Sequence, residues 1–254
     1  MTDISLLAAA PGLLSPDGPG ADLLSAAELA RARRHHQPVD RCRSATASWL
    51  LRAAAAGASG LEPHRVRVGR ECPTCGRAGA EAPHGRPVLL PQAEEPGPPV
   101  QLSASHAGDV VLVAASTAGR VGVDVERIAS TGFEGFDDLV LTPLERRHLA
   151  SLPAGSRPVQ RALAWTRKEA LLKATGHALT LDPSTVGFQP DGRPEPATAA
   201  LLGGAPHAGT RALGGLPAGH VGALALLDAP APRRLPVRWL HEVPEPAGST
   251  AASG

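Results

Sequence analysis

Val121-Gly122-Val123-Asp124-Val125-Glu126 alternates valine with a glycine and two carboxylates. Alternation of period two reads as a β-strand with one buried face. Val121, Val123 and Val125 then point to a core. Gly122, Asp124 and Glu126 share the opposite face, so the two carboxylates stand side by side. Further along, Trp165-Thr166-Arg167-Lys168-Glu169-Ala170-Leu171-Leu172-Lys173 reads as a helix. That helix starts after Pro158 and runs to Thr175, with Gly176 as its stop. Trp165, Glu169 and Lys173 are spaced four apart and line one face. Two adjacent carboxylates plus a third from another element, here Asp124, Glu126 and Glu169, can hold a hard divalent ion. Magnesium takes a few such carboxylates and completes its shell with water and substrate phosphate. Either pattern alone also describes a solvated strand face or a helical surface ion pair. The weight lies in both occurring in one chain, in this order.

The chain has 254 residues, room for one large domain or two small ones. Hydrophobic residues make up 43% and aromatics only 2%, with no tyrosine, so the core must be built from Leu, Val and Ala. A net charge of +1 argues against a nucleic-acid partner recognised by bulk charge. No stretch has the uninterrupted apolar length of a membrane span. Asp3 and Pro11 near the start, without a basic leader, do not read as a signal peptide, so the expected location is cytoplasmic. Three cysteines make no disulfide framework. Cys72-Pro73-Thr74-Cys75-Gly76 has the spacing of one zinc knuckle, and His84 follows. Structural zinc takes four ligands, so a bound zinc and a plain reduced turn both stay open. No strand–CxxC–helix context supports a redox role.

Along the chain, residues 1–20 are rich in Gly, Pro and Ala and read as irregular. Residues 21–34 read as a helix ending in a basic run, and 39–56 as a second helix. Strands are expected at 64–70 and 109–116, with a proline-rich loop at 92–99. A turn at Ala118-Gly119 marks the boundary between an N-terminal unit, 1–118, and a C-terminal one, 119–242. Thr142-Pro143-Leu144-Glu145 opens a helix with a capping-box pattern and proline in its first position. Residues 221–227 and 235–240 read as late strands, and 243–254 as a disordered tail.

The strand and helix motifs together resemble the paired signature of the 4′-phosphopantetheinyl transferases, (V/I)G(V/I)D(I/V)E followed by (W/F)(S/T/C)xKE(A/S)xxK. Every fixed position is matched. The full N-terminal half before the first motif resembles the Sfp-type branch. Gly85-Arg86-Pro87 resembles the family's G(K/R)P element, Leu102-Ser103-Ala104-Ser105-His106 its (F/L)NxSH element, and Arg43 an arginine of the N-terminal half. The resemblance covers residues 28 to 190. Ser103 stands where Asn is frequent, and Ala178 where a second Gly is common.

The resemblance implies an α+β fold of two similar halves related by a pseudo-twofold axis, with the active site at their interface. It implies Mg²⁺-dependent transfer of the phosphopantetheine arm from coenzyme A to a serine of an apo acyl or peptidyl carrier protein, releasing adenosine 3′,5′-bisphosphate. Asp124, Glu126 and Glu169 would hold the metal. Glu169 would be the base, Lys173 would stabilise the leaving phosphate, and Lys168 would help bind the pyrophosphate. Arg43 and His106 would clamp the 3′-phosphate, with Arg31 or Arg33 as weaker candidates. Ser105 would belong to the same coenzyme A contact set, and Arg86 and Pro87 would line the adenine. Leu139, Leu141 and Leu144 beside Arg146 and Arg147 read either as a docking face for an acidic carrier helix or as an ordinary amphipathic helix. Long members are usually monomeric. Two rival readings share the carboxylates: a magnesium nucleotide phosphohydrolase, and a non-catalytic carrier-binding module.

Overall fold

The computed structural model describes residues 4–72, 74–91, 99–176, 181–202, 208–230, 232 and 235–243. The chain runs β1 (Ile4–Ala9), α1 (Ala26–Arg33), α2 (Pro38–Ser59), β2 (Val68–Glu71), β3 (Ala78–Gly79), β4 (Arg86–Leu89), β5 (Gln101–Ala107) and β6 (Val110–Ser116). It continues through β7 (Val121–Arg127), α3 (Phe136–Val140), α4 (Pro143–Ser151), α5 (Arg157–Thr175), α6 (Pro196–Leu201), β8 (Gly209–Ala212), β9 (His220–Leu226) and β10 (Arg238–Trp239). Among the described residues the strands form two sheets, β10-β1-β6-β5-β4-β2-β3 and β7-β9-β8. The architecture is α+β.

A topological repeat is visible in the pairing. In the first sheet β1 pairs antiparallel with β6, and β6 with β5. In the second, β7 pairs antiparallel with β9, and β9 with β8. Each set carries one long helix, and side-chain alternation stacks everything into four layers. Leu7, Val111 and Val113 face Leu50, Leu51 and Ala54 of α2. Their alternates Leu6, Ala8, Val110 and Leu112 face Val121, Val123, Val125, Leu224 and Leu226 across the two sheets. Ala223 and Ala225 face Ala170, Leu171, Leu172 and Ala174 on α5. The core is built from Leu, Val and Ala, as the composition requires.

Local chemistry sets the ends of these elements. Both long helices stop at a left-handed glycine, Gly60 at φ 77° and Gly176 at φ 78°, a conformation that costs glycine little. The Thr142–Glu145 capping box forms in both directions, and Ser25 and Glu28 make a second one at α1.

The structure corrects several expectations. Residues 1–20 are not irregular throughout, because Ile4–Ala9 is a buried strand inside the first sheet. Its run of apolar residues is the signature of a strand covered on both faces, which the surrounding Gly and Pro obscured. β7 is buried on both faces from Val121 to Val125 rather than on one. The second face is covered by α5, and Gly122 is what lets the helix approach: a methyl group there would overlap the Ala170 carbonyl oxygen. The late strand expected over 235–240 shortens to Arg238–Trp239, which adds parallel to β1 in the first sheet. Most of the 92–99 loop, residue 178 and all of the 243–254 tail beyond Val243 lie outside the described residues.

Candidate active site

β7 is an edge strand, so its outward backbone N–H groups need partners. Strand β5 of the other sheet supplies them. Val123 N–H donates to Ser103 Oγ at 3.0 Å and Val125 N–H to Ser105 Oγ at 3.4 Å. These serines join the two sheets. Ser105 also donates its hydroxyl proton to Asp124 Oδ1 at 2.7 Å. Ser103, where Asn is frequent in the resembled family, therefore serves the sheet junction here.

The close approach of α5 to β7 sets one face of the helix over the strand's carboxylates. Lys173 Nζ reaches Asp124 Oδ1 at 2.7 Å. The Trp165 side chain donates a hydrogen bond to Glu126. Glu169 lies between Trp165 and Lys173 on that face, near enough for Asp124 and Glu126 to act on its titration. Burial, then the Asp124 charge, hold Glu126 above the ordinary carboxyl range. Burial also raises Glu169, with Asp124 and Glu126 adding to the rise and Lys173 opposing it. Asp124 Oδ2 and Glu169 Oε1 are buried without a hydrogen-bond partner. Unpaired buried carboxylate oxygens are costly. The donor types suit a hard divalent cation, which would satisfy both oxygens and relieve the mutual repulsion; ligand oxygens of all three carboxylates do not lie within 4.8 Å of one another, so the three must draw together to share an ion.

A cleft of about 740 Å³ opens beside this group. It is lined by Lys173, Thr175 and Gly176 at the end of α5, by Gly85, Arg86, Pro87, Cys72 and His84, and by Ser103 and Ala104 of β5. Arg86 is paired with Glu71 at 2.7 Å and stays accessible. Arg70 lines the cleft as well, a cation the sequence reading missed. Burial, then the charge of Arg31, lowers its pKa to about 10, a cost an anion would offset. What brings Arg70 to the cleft is its place directly across from Pro87 in the β2–β4 ladder, a long-range pairing that no local sequence pattern marks.

On β5, His106 follows Ala104 on the same side of the strand. Its ring reaches the surface but is crowded. Burial, then the Arg43 guanidinium, holds its pKa below the usual value, with Lys173 and His35 adding to this and Asp40 opposing it. Arg43 is fixed by Asp40 Oδ1 and the Gly108 carbonyl, both at 2.7 Å, while its Nε is buried without a partner. Four cationic or potentially cationic groups thus surround this corner.

Other expected site residues are placed elsewhere. Lys168 is fully buried on the far side of α5. It pairs with Glu145 Oε2 at 2.6 Å and donates to the carbonyls of Val140 at 2.6 Å and Pro183 at 2.9 Å. Three oxygens already satisfy its three protons, so it is not a pyrophosphate ligand but a tie between α5, α4 and the 183–185 turn. The hydroxyl proton of Ser105 is likewise committed to Asp124, which makes it a positioning group for the carboxylate rather than a coenzyme A contact. Arg31 donates to the Ala80 carbonyl and Arg33 pairs with Asp17, and neither lines the cleft. Leu141 is buried at 2% exposure, whereas Leu139 at 64% and Leu144 at 39% remain exposed.

Residues 120–224 match the family model of the 4′-phosphopantetheinyl transferase superfamily. The matched segment contains Asp124, Glu126, Glu169 and Lys173. The 4′-phosphopantetheinyl transferase HetI of Nostoc sp. is 31% identical over 157 residues, 61% of this chain and 61% of that protein. The protein slr0495 of Synechocystis sp., whose name assigns it provisionally to the same activity, is 30% identical over 159 residues, 62% of this chain and 59% of that protein. The chain therefore spans about three fifths of the length of the curated relatives it matches. A solved structure described as the apo-ACPS of Chronobacterium ammoiniagenes is 26% identical, with 42% of this chain and 94% of that chain covered and a TM-score of 0.31. Among the described residues no helix is long and apolar enough to cross a membrane.

Proposed function

We propose that this chain is an Sfp-type 4′-phosphopantetheinyl transferase that moves the phosphopantetheine arm of coenzyme A to a serine of an apo acyl or peptidyl carrier protein. The observation that carries the reading is the meeting of Asp124, Glu126, Glu169 and Lys173 within the segment matched to the superfamily. In this reading residues 1–118 hold the nucleotide end of coenzyme A, and residues 119–242 carry the metal ligands and the catalytic helix. The protein acts as a monomer in the cytoplasm.

Phosphoryl transfer depends on positioning and on neutralising charge. Asp124, Glu126 and Glu169 would hold Mg²⁺, which when bound screens the pyrophosphate oxygens and favours attack by an anionic nucleophile. The carrier serine oxygen attacks the phosphorus next to the pantetheine, and the bond to the bridging oxygen breaks. Adenosine 3′,5′-bisphosphate leaves with that oxygen. Serine needs a base near neutral pH, and Glu169, on the face of α5 that meets Asp124 and Glu126, is assigned that role, directly or through a water. Lys173, anchored on Asp124, presents its charge to the leaving phosphate. Arg86 and Pro87 line the adenine end of the cleft, and Arg70 adds positive charge there.

Arg43 and His106 are assigned to the 3′-phosphate. Arg43→Ala and His106→Ala are each expected to raise the KM for coenzyme A about tenfold, the scale of one charge-assisted hydrogen bond, with kcat little changed. Steady-state kinetics with coenzyme A and carrier varied separately checks this. A rise confined to the carrier KM would place both residues at the carrier instead. The reading as a whole is tested by bisphosphate release. Release that requires an apo carrier supports transfer, and release at a comparable rate without carrier would make the protein a phosphohydrolase.

A further inference from the structure

The connection between β2 and β4 gathers three soft donors at the rim of the cleft. Cys72 follows directly on β2, His84 stands two residues before β4, and Cys75 lies on the turn between them. Their ligand atoms all lie within 4.8 Å of one another, and Cys75 Sγ is 3.7 Å from His84 Nε2. Among the described residues this is the one His, Cys and acid cluster so close. The backbone is already folded as a knuckle. Cys72 N–H donates to the Arg77 carbonyl and Gly76 N–H to the Cys72 carbonyl, each at 2.9 Å. Gly76 takes the left-handed φ of 68° that this turn needs. Both cysteines are free thiols.

We propose that Cys72, Cys75 and His84 bind a zinc ion that fastens the rim of the cleft. Thiolate and imidazole donors select zinc over magnesium or calcium. Bonds of about 2.3 Å to sulfur and 2.0–2.1 Å to nitrogen, set tetrahedrally, put donors about 3.5–3.8 Å apart; Cys75 and His84 at 3.7 Å already meet that, and Cys72 lies within 4.8 Å of both. Cys72 is buried at the base, while Cys75 and His84 are exposed, so the fourth position faces solvent and is left to water. The ion would close the connection between two strands that already pair through Glu71 with Arg86 and Arg70 with Pro87. Gly85, Arg86 and Pro87 would then be held against the cleft. This site is separate from the carboxylates and stands whether or not the transfer reaction does.

The test is metal analysis of the full chain purified under reducing conditions from zinc-supplemented cells. One zinc per chain is expected, falling below about a tenth of an ion in Cys75→Ser and in His84→Ala, and unchanged in Cys42→Ser. Cys75 is exposed, so its substitution leaves the fold intact by circular dichroism. Adding zinc to the chelator-treated wild type is expected to raise its Tm, since an ion that binds only the folded state stabilises it, and to leave Cys75→Ser unshifted. A wild type that neither carries zinc nor responds to it would overturn the proposal, as would equal zinc content in Cys75→Ser.

Discussion

Glu169→Ala is expected to lower phosphopantetheine transfer by about a thousandfold or more while the protein stays folded. The variant removes one of three metal donors and the base together. Metal-borne charge stabilisation is worth several kcal/mol, and about 1.4 kcal/mol is a factor of ten in rate. The fold is expected to survive for a reason of sign. Burial and two neighbouring carboxylates hold Glu169 above its ordinary value, so its ionised form is less stable in the folded chain than in the unfolded one. At neutral pH, removing it relieves repulsion, and the Tm without added metal should not fall. Single-turnover transfer measured beside a thermal melt checks both halves. Full activity in the variant would remove Glu169 from the mechanism. A collapsed melt would mean that its role is structural.

Lys168→Ala is expected to act in the opposite way, costing stability rather than chemistry. Its loss strands Glu145 in the interior and leaves the Val140 and Pro183 carbonyls without their donor. Removing one partner of a buried pair costs about 3–5 kcal/mol, which for a chain of this size lowers Tm by roughly 10 °C. Glu145 also accepts from the backbone N–H groups of Thr142 and Phe188. For that reason Lys168→Met with Glu145→Gln, which keeps the acceptor and removes both charges, should recover much of the loss. The folded fraction of Lys168→Ala should keep a near-normal KM for coenzyme A. An unchanged Tm with a greatly raised KM would restore Lys168 to the pyrophosphate.

Lys168 also marks where the sequence stops being legible. Lys168 and Glu169 are adjacent in the same motif, yet consecutive helical positions lie about 100° apart, so one enters the site and the other the interior. Spacing placed Trp165, Glu169 and Lys173 on one face correctly, and the valine alternation correctly set Asp124 beside Glu126. The Thr142 capping box and the Gly176 stop were legible because each is a local device with its own residue types. What long-range packing decides was hidden. Nothing local to Val121–Arg127 says that its second face is covered, although Gly122 was the residue to question. Ser105 read as a ligand contact because its partners, Asp124 and the N–H groups of an unpaired strand edge that it shares with Ser103, come within reach only once the two sheets meet. β1 was lost for a similar reason. A short apolar run buried on both faces carries no alternation to read.

The central claim is transfer to a carrier, and intact-mass spectrometry tests it most directly. A purified apo acyl or peptidyl carrier protein would be incubated with this protein, coenzyme A and Mg²⁺, with a chelator control. A gain of about 340 Da on the carrier, the mass of an arm attached through its phosphate, that disappears with chelation is the expected result. No gain across several carrier types, with coenzyme A still bound by the protein, would contradict it and leave a carrier-binding module without turnover.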